Sequence, residues 1–446
     1  MKAFEAEPDY LAKSLKVVNE ILPHEKNKAL TVEILRELFL RPYLTSEQLS
    51  EKFVISKQDL KEIYFLVRSN REIRDLFEFS PYCYLIKTLE DLTRDGERTL
   101  EIMKGQTPSP LSKTMELFIS ASCNAKCEFC YRNGKIYDGK IMETRQFLDL
   151  INQFADSKGE NLDVSGGLEP LLGPSILEVL EEGLNRKLRV TLYTNGIALD
   201  KPGLLDYLSR IDKVRVSLNA TERESYRSIM GVDKFDTVKN NLVNLIKRKG
   251  ETNSRIGIGF VAYRENYTQI PDAIKLAQQL GVDFVDLRCV HATNIDAFDE
   301  KQREELKSIL KQVRQAILLG RYGRLSISIA DTFNFIDPGN DLSRNLKRDF
   351  VDDLVRYRVT VTPQGKVYAL NVVGQPTRED PRYLLGEFNE ESSLMNILQN
   401  KRNIPFEPDL FLPHDISLIA ALPKLKSDFE FGIGLDESPF NFEEGF

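Results

Sequence analysis

The sequence predicts an α/β fold: a partial (β/α)6 barrel, preceded by a helical domain and followed by an α+β extension. Three observations predict it. From Met115 onward, strand-like runs alternate with helix-like runs six times, and repeated β-α units imply a parallel sheet with helical crossovers. Before residue 110, apolar residues recur at helical spacing. After residue 323 the pattern changes to short strands and a hairpin. The expected domains are therefore 1–110, 111–322 and 323–446.

In the first segment, Leu30–Leu40 and Ser46–Phe53 carry helical apolar spacing. Ser46 with Glu47 reads as a helix start, and Ser56-Lys-Gln-Asp opens a further helix to about Val67. Three short helices in a row suit a helix-turn-helix, with a wing near Phe77–Leu85. A helical cap, a peptide-binding winged helix and a DNA-binding domain all fit, although the segment is not basic. Gly105-Gln-Thr-Pro-Ser-Pro110 reads as a linker. The barrel strands are expected at Glu116–Ser120, Leu162–Ser165, Arg189–Tyr193, Lys213–Leu218, Ile256–Val261 and Phe284–Arg288. Helices fit between them at Glu143–Phe154, Pro174–Leu184, Gly203–Leu208, Thr237–Lys247 and Tyr267–Leu280, with a long one at Glu300–Leu319. In the last segment Leu325–Ile329 reads as a strand, Tyr357–Thr362 and Lys366–Leu370 as a hairpin, and Ser393–Leu398 as a helix. The acidic, Phe-rich tail Leu422–Phe446 reads equally as an ordered arm or a loose tail.

Composition narrows the class. With 446 residues, 41% hydrophobic and 29% charged, the chain has ample material for a buried core. A net charge of −7 runs against a basic nucleic-acid binder. No apolar run approaches the ~20 residues that span a bilayer. Met1–Tyr10 is acidic and lacks an apolar signal core, so a cytoplasmic location is expected. Three histidines exclude His-rich metal sites. Three of the five cysteines, Cys123, Cys127 and Cys130, fall within eight residues.

Cys123-Asn-Ala-Lys-Cys127-Glu-Phe-Cys130 follows directly on the first expected strand. Thiolates are soft ligands suited to zinc or iron–sulfur clusters. Structural zinc takes four ligands, and no fourth Cys or His lies nearby. The CxxxCxxC spacing after the first strand, with Phe129 before the last cysteine, resembles the radical S-adenosylmethionine (radical SAM) superfamily. The resemblance covers about residues 115–320. It implies one [4Fe–4S] cluster on Cys123, Cys127 and Cys130, with an open iron that chelates S-adenosylmethionine. It further implies reductive cleavage to a 5′-deoxyadenosyl radical that abstracts a substrate hydrogen, and a reductant such as flavodoxin or ferredoxin.

Further matches follow in chain order. Ser165-Gly-Gly-Leu-Glu-Pro170 resembles the GGEP motif, which implies Gly166, Gly167 and Glu169 at the methionine amino group; Leu168 is inserted relative to that motif. Tyr193-Thr-Asn-Gly196 is also typical and implies a role for Asn195. The resemblance implies Ser217 and Asn219 at the ribose or carboxylate, Arg227 at the carboxylate, and Phe129 and Tyr131 flanking the adenine. Ile256-Gly-Ile-Gly259 is no dinucleotide fingerprint, because it sits within a strand.

Val361–Ala369 and Leu385–Ile397 resemble the SPASM/twitch-like extension of peptide-modifying members. No cysteine follows Cys289, so this extension has no auxiliary clusters, and Ala369 stands where a cysteine is common. A single cluster suits redox-neutral chemistry. The expectation is therefore a maturase of ribosomally made peptides, with residues 1–110 holding a leader peptide. Its expected reaction is Cα epimerisation with Cys289 as hydrogen donor and His291 two residues on. A buried structural thiol is the plainer reading of Cys289, as of Cys83. The second reading is the same enzyme class acting on a small molecule such as a sugar, amino acid or antibiotic intermediate. The third is a cluster-bearing DNA-binding regulator, against which the charge speaks. No membrane partner is expected.

Overall fold

The computed structural model describes residues 28–69, 83–104, 112–130, 136–165, 167–290, 298–318, 320–330, 333, 357–370, 380–399 and 413–441. The chain divides into two compact units. The first takes the described residues up to 104, together with 330, 333 and 413–441. The second takes those within 112–329 and 357–399. The segment read as one C-terminal extension is thus shared between the units.

The first unit is helical: Lys28–Leu40, Ser46–Phe53, Lys57–Ser69, Cys83–Arg94, Gly96–Met103 and Pro413–Phe431. Thr45 and Gln48 form a capping box ahead of the second helix. The expected wing falls largely on residues outside those described; its end, Cys83–Leu85, opens a helix. The tail that the sequence left open is helical to Phe431 despite Pro423. It is tied down by a buried polar set. Asp428 accepts from Ser46 N at 2.6 Å and from Lys424 Nζ at 2.6 Å, and Ser46 Oγ lies 3.0 Å from Tyr64 Oη. No helix among the described residues is long and apolar enough to cross a membrane.

The second unit is built on one sheet in the order β10-β9-β8-β1-β2-β3-β4-β5-β6-β7. Its strands are β1 Thr114–Phe118, β2 Asn161–Ser165, β3 Arg189–Thr194, β4 Lys213–Ser217, β5 Arg255–Ala262, β6 Phe284–Cys289, β7 Ser326–Ile329, β8 Arg358–Val361, β9 Lys366–Tyr368 and β10 Leu384–Glu387. Strands β1 to β7 are parallel, in chain order. Sequential order is the winding of a barrel, whereas a doubly wound sheet reverses at a switch point. β8 joins β1 in parallel, and β9 and β10 turn back antiparallel. The six expected barrel strands all form. The sheet is wider than expected because β7 and β8 extend its parallel part at either end.

The two faces of the parallel strands differ in chemistry. One face carries Val164, Val190, Leu192, Val214, Val216, Ile256, Ile258, Val285 and Leu287, all buried. The crossover helices cover it with Phe147, Leu150, Val179, Val238, Leu242 and Ile274. The opposite, lumen face carries Glu116, Asp163, Lys213, Arg215, Asp286, Arg288 and Arg358, as alternation and register require. Asp286 Oδ2 lies 3.4 Å from both Lys213 Nζ and Arg215 Nε. Arg358 Nη1 lies 3.1 Å from Asp163 and 3.4 Å from Glu116. Burial raises the Asp286 pKa, but Lys213, Arg215 and Arg288 outweigh it and hold the carboxyl below its ordinary range.

The two glycines of β5 make this lumen. A Cβ on Gly257 would collide with the Phe284 ring, and one on Gly259 would collide with the Arg215 guanidinium. Their absent side chains let Arg215 reach across β5 to Asp286. Gly259→Ala should therefore displace that guanidinium and cost about 1–3 kcal/mol in urea unfolding; wild-type stability would contradict this packing.

Candidate active site

The cysteine loop leaves the C-terminal end of β1 and is held from three sides. Below it runs the helix Arg223–Met230, which sequence periodicity did not reveal. Lys126 N donates to Met230 O at 2.9 Å and Glu128 N to Ile229 O at 2.9 Å. These bonds satisfy last-turn carbonyls that a helix cannot pair within itself. Gly231 closes the helix at φ 66°, and a Cβ there would stand 2.5 Å from Lys126 O. Within the loop, Cys130 N donates to Cys127 O at 3.1 Å.

The second support is Glu169. It is 2% exposed, and its carboxylate accepts from Asn195 N at 2.7 Å, Thr194 Oγ1 at 2.6 Å and Leu171 N at 3.0 Å. Its own N–H donates to Ser122 O at 3.0 Å. One residue thus joins the turn after β2, the end of β3 and the start of the cysteine loop. Burial pushes its carboxyl up to about 7, against the hydrogen bonds from Asn195 N, Thr194 and Leu171 N. The third support is Asn195. Its Nδ2 donates to Asn124 Oδ1 at 2.7 Å and lies 3.8 Å from Cys123 Sγ. Leu168, the inserted residue, packs with Phe118 and Tyr137 in a small apolar cluster against which Cys123 rests.

The other expected residues stand at varied distances from this loop. Phe129 is half-buried, with its ring centroid 5.7 Å from that of Tyr263. Gly167 is half-buried, and Ser217 is half-buried at the end of β4. Asn219 is buried; it accepts from Val261 N at 2.8 Å, and its Nδ2 lies 3.4 Å from Met230 Sδ. Arg227 is exposed on its helix. The residue of that helix that meets the loop is Met230, whose Sδ lies 3.6 Å from Cys127 Sγ. Tyr131, Gly166 and His291 lie outside the described residues. Cys289 is 4% exposed, and burial pushes its thiol up to about 12. It pairs in register with Ala262, on the same side of β6 as Val285 and Leu287. That is the helix-covered side. Asp286 and Arg288, of the opposite parity, take the lumen positions of this strand. Sequence reasoning missed Asn124, Thr194, Tyr226 and Met230; only the spacing of Tyr226, Ile229 and Met230 could have signalled their helix.

Cys123, Cys127 and Cys130 are half-buried thiols. Among the described residues no three His, Cys, Asp or Glu side chains converge on a point that would hold a single metal ion. Three half-buried thiols in one loop are soft donors, so this donor set fits an iron–sulfur cluster.

A sequentially wound parallel barrel with three thiols at its C-terminal rim defines a class of cluster-bearing enzymes. Residues 117–277 match the model of the Radical SAM superfamily. Over those residues the chain carries a radical SAM domain, the domain of enzymes that work with a [4Fe–4S] cluster and S-adenosylmethionine. A probable GTP 3′,8-cyclase of Saccharolobus islandicus is 28% identical over 223 residues, 47% of this chain and 70% of the relative. The dTDP-4-amino-4,6-dideoxy-D-glucose ammonia-lyase of Streptomyces venezuelae is 23% identical over 384 residues, 80% of this chain and 78% of that enzyme. In fold, the chain is similar to Streptococcus suis SuiB bound to its precursor peptide SuiA, with a TM-score of 0.52 and 13% identity over 84% of this chain and 82% of SuiB.

Glu169 generates a pH prediction for the cluster-free protein. Its pKa rises from 4.5 to about 7 on folding. The folded state therefore holds the proton more tightly. The stability this confers is full below about 4.5 and is lost as pH rises through about 7, a change of roughly 3 kcal/mol. Unfolding free energies of wild type and Glu169→Gln at pH 5 and pH 8 measure it. The wild-type advantage should shrink at pH 8; a difference independent of pH would refute the assignment.

Proposed function

We propose that this enzyme abstracts hydrogen from an anionic small molecule, of the nucleotide or nucleotide-sugar class, held in the polar lumen of the partial barrel. The observation that carries this reading is the lumen face. Lys213, Arg215, Arg288 and Arg358 stand there against Glu116, Asp163 and Asp286, an excess of one cation within this set. A phosphate suits such a surface, because guanidinium groups bind it through paired hydrogen bonds. Two relatives support the reading by what their names say they act on, a guanine nucleotide and a dTDP-sugar, and the second matches along most of this chain.

When bound, the cluster and S-adenosylmethionine supply a 5′-deoxyadenosyl radical that takes a hydrogen atom from the substrate. The chain's own residues prepare the place. Cys123, Cys127 and Cys130 hold the cluster. Phe118, Tyr137 and Leu168 keep water from one side of the thiol loop. In this reading Phe129, Gly167 and Ser217, the half-buried members of the expected set, meet S-adenosylmethionine, while Glu169, Asn195 and Asn219 fix the walls around it. A low-potential reductant of the flavodoxin or ferredoxin kind belongs to the same proposal.

A second reading keeps a ribosomally made peptide as substrate and Cα epimerisation as reaction, and the fold likeness to SuiB favours it. Likeness at 13% identity speaks to architecture. The helix-covered position of Cys289 weighs against its service as hydrogen donor.

The test is anaerobic reconstitution with dithionite and S-adenosylmethionine, followed by mass spectrometry for 5′-deoxyadenosine in the presence of nucleoside triphosphates, dTDP- and UDP-sugars, or synthetic peptides. Nucleotides or their sugars should raise its formation, and Arg288→Gln should raise the KM for the active compound about tenfold or more. Stimulation by peptides alone would overturn the reading.

A further inference from the structure

The helix under the cysteine loop carries a residue outside the expected ligand set. Tyr226 is 0% exposed, and its buried hydroxyl has no hydrogen-bond partner among the described residues. A buried hydroxyl left unpaired costs free energy, so it marks a partner that the described residues do not supply.

The geometry says where that partner lies. Met230 follows Tyr226 by four residues, on the same helical face, and its sulfur touches Cys127 Sγ. The last turn of the helix is bonded to Lys126 N and Glu128 N, on either side of Cys127. Phe235 packs against the Tyr226 ring with centroids 5.7 Å apart and fixes its direction. Burial raises the hydroxyl's pKa, and the thiol of Cys127, the carboxylate of Glu169 and the thiol of Cys123 add to the rise, which puts them within electrostatic reach of it. Both Glu169 oxygens already accept from Thr194, Asn195 and Leu171. Among the described groups near the hydroxyl none accepts from it, and the group that the thiols would hold is the candidate acceptor.

We propose that the Tyr226 hydroxyl donates a hydrogen bond to a sulfur of the cluster on Cys123, Cys127 and Cys130 and thereby raises its reduction potential. Reduction adds negative charge to the cluster, and a fixed donor stabilises the more negative state more. The inference rests on those thiols holding the cluster, which iron analysis reads separately.

Tyr226→Phe keeps the ring and removes the donor. Without cluster, the variant should unfold at a urea midpoint equal to or above wild type, because it loses only an unpartnered buried hydroxyl. After reconstitution with iron and sulfide it should hold as much iron as wild type. In a dithionite titration followed by electron paramagnetic resonance, its one-electron equilibrium should move about tenfold toward the oxidised form, about 59 mV more negative. Reduced stability without cluster, failure to fold included, would mean that the hydroxyl has a partner within the polypeptide and would overturn the proposal. An unchanged potential at full iron content would overturn it as well. Iron lost by Tyr226→Phe at undiminished cluster-free stability would support it. Iron missing from wild type too would instead fail the cluster assignment.

Discussion

The Glu169 carboxylate receives hydrogen bonds from Leu171 N, Thr194 Oγ1 and Asn195 N, and the cysteine rim is positioned through it. A carboxylate buried this deeply is costly unless each oxygen is satisfied. Here the satisfying donors come from two different strand ends. Asn195, fixed by its backbone, then carries the restraint to Asn124 and Cys123 through its side chain. The helix Arg223–Met230 supplies the opposite wall by giving its terminal carbonyls to the loop. A three-thiol loop with no regular structure of its own is thereby held by the scaffold on both sides.

The second constraint is strand parity. In a parallel sheet covered by helices, a shift of one residue exchanges the lumen for the helix layer. The lumen positions carry arginine, lysine and carboxylates; the helix-side positions carry valine, leucine and isoleucine. Arg288 and Cys289 are neighbours in sequence, yet they serve different layers. Gly257 and Gly259 show the same rule from the other side, since both fall on the lumen face and open it for Phe284 and Arg215.

Much of this was legible in the sequence. The barrel strands are apolar, largely β-branched runs between turn residues, and each forms within two residues of its expected limits. The thiol loop was legible because three cysteines in eight residues directly follow a strand. The helix Arg223–Met230 was not, because it is eight residues long and mostly polar, with burial confined to Tyr226, Ile229 and Met230. Without that helix, Arg227 looked nearer the site than Met230, although it is Met230 that meets the loop. The helix Pro413–Phe431 was obscured by Pro423, which ordinarily breaks one. The Glu169 clamp could not be read either: two of its partners lie 25 and 26 residues away, and nothing local in Thr194 or Asn195 names their acceptor.

These constraints meet at one claim: the rim formed by Cys123, Cys127 and Cys130 holds a cluster with an iron open to S-adenosylmethionine. Electron paramagnetic resonance of the reconstituted, dithionite-reduced protein tests it most directly. A reduced-cluster signal whose shape changes when S-adenosylmethionine is added is expected, with no such signal when the three cysteines are replaced by alanine. A signal indifferent to S-adenosylmethionine, or one that survives the triple replacement, would contradict it.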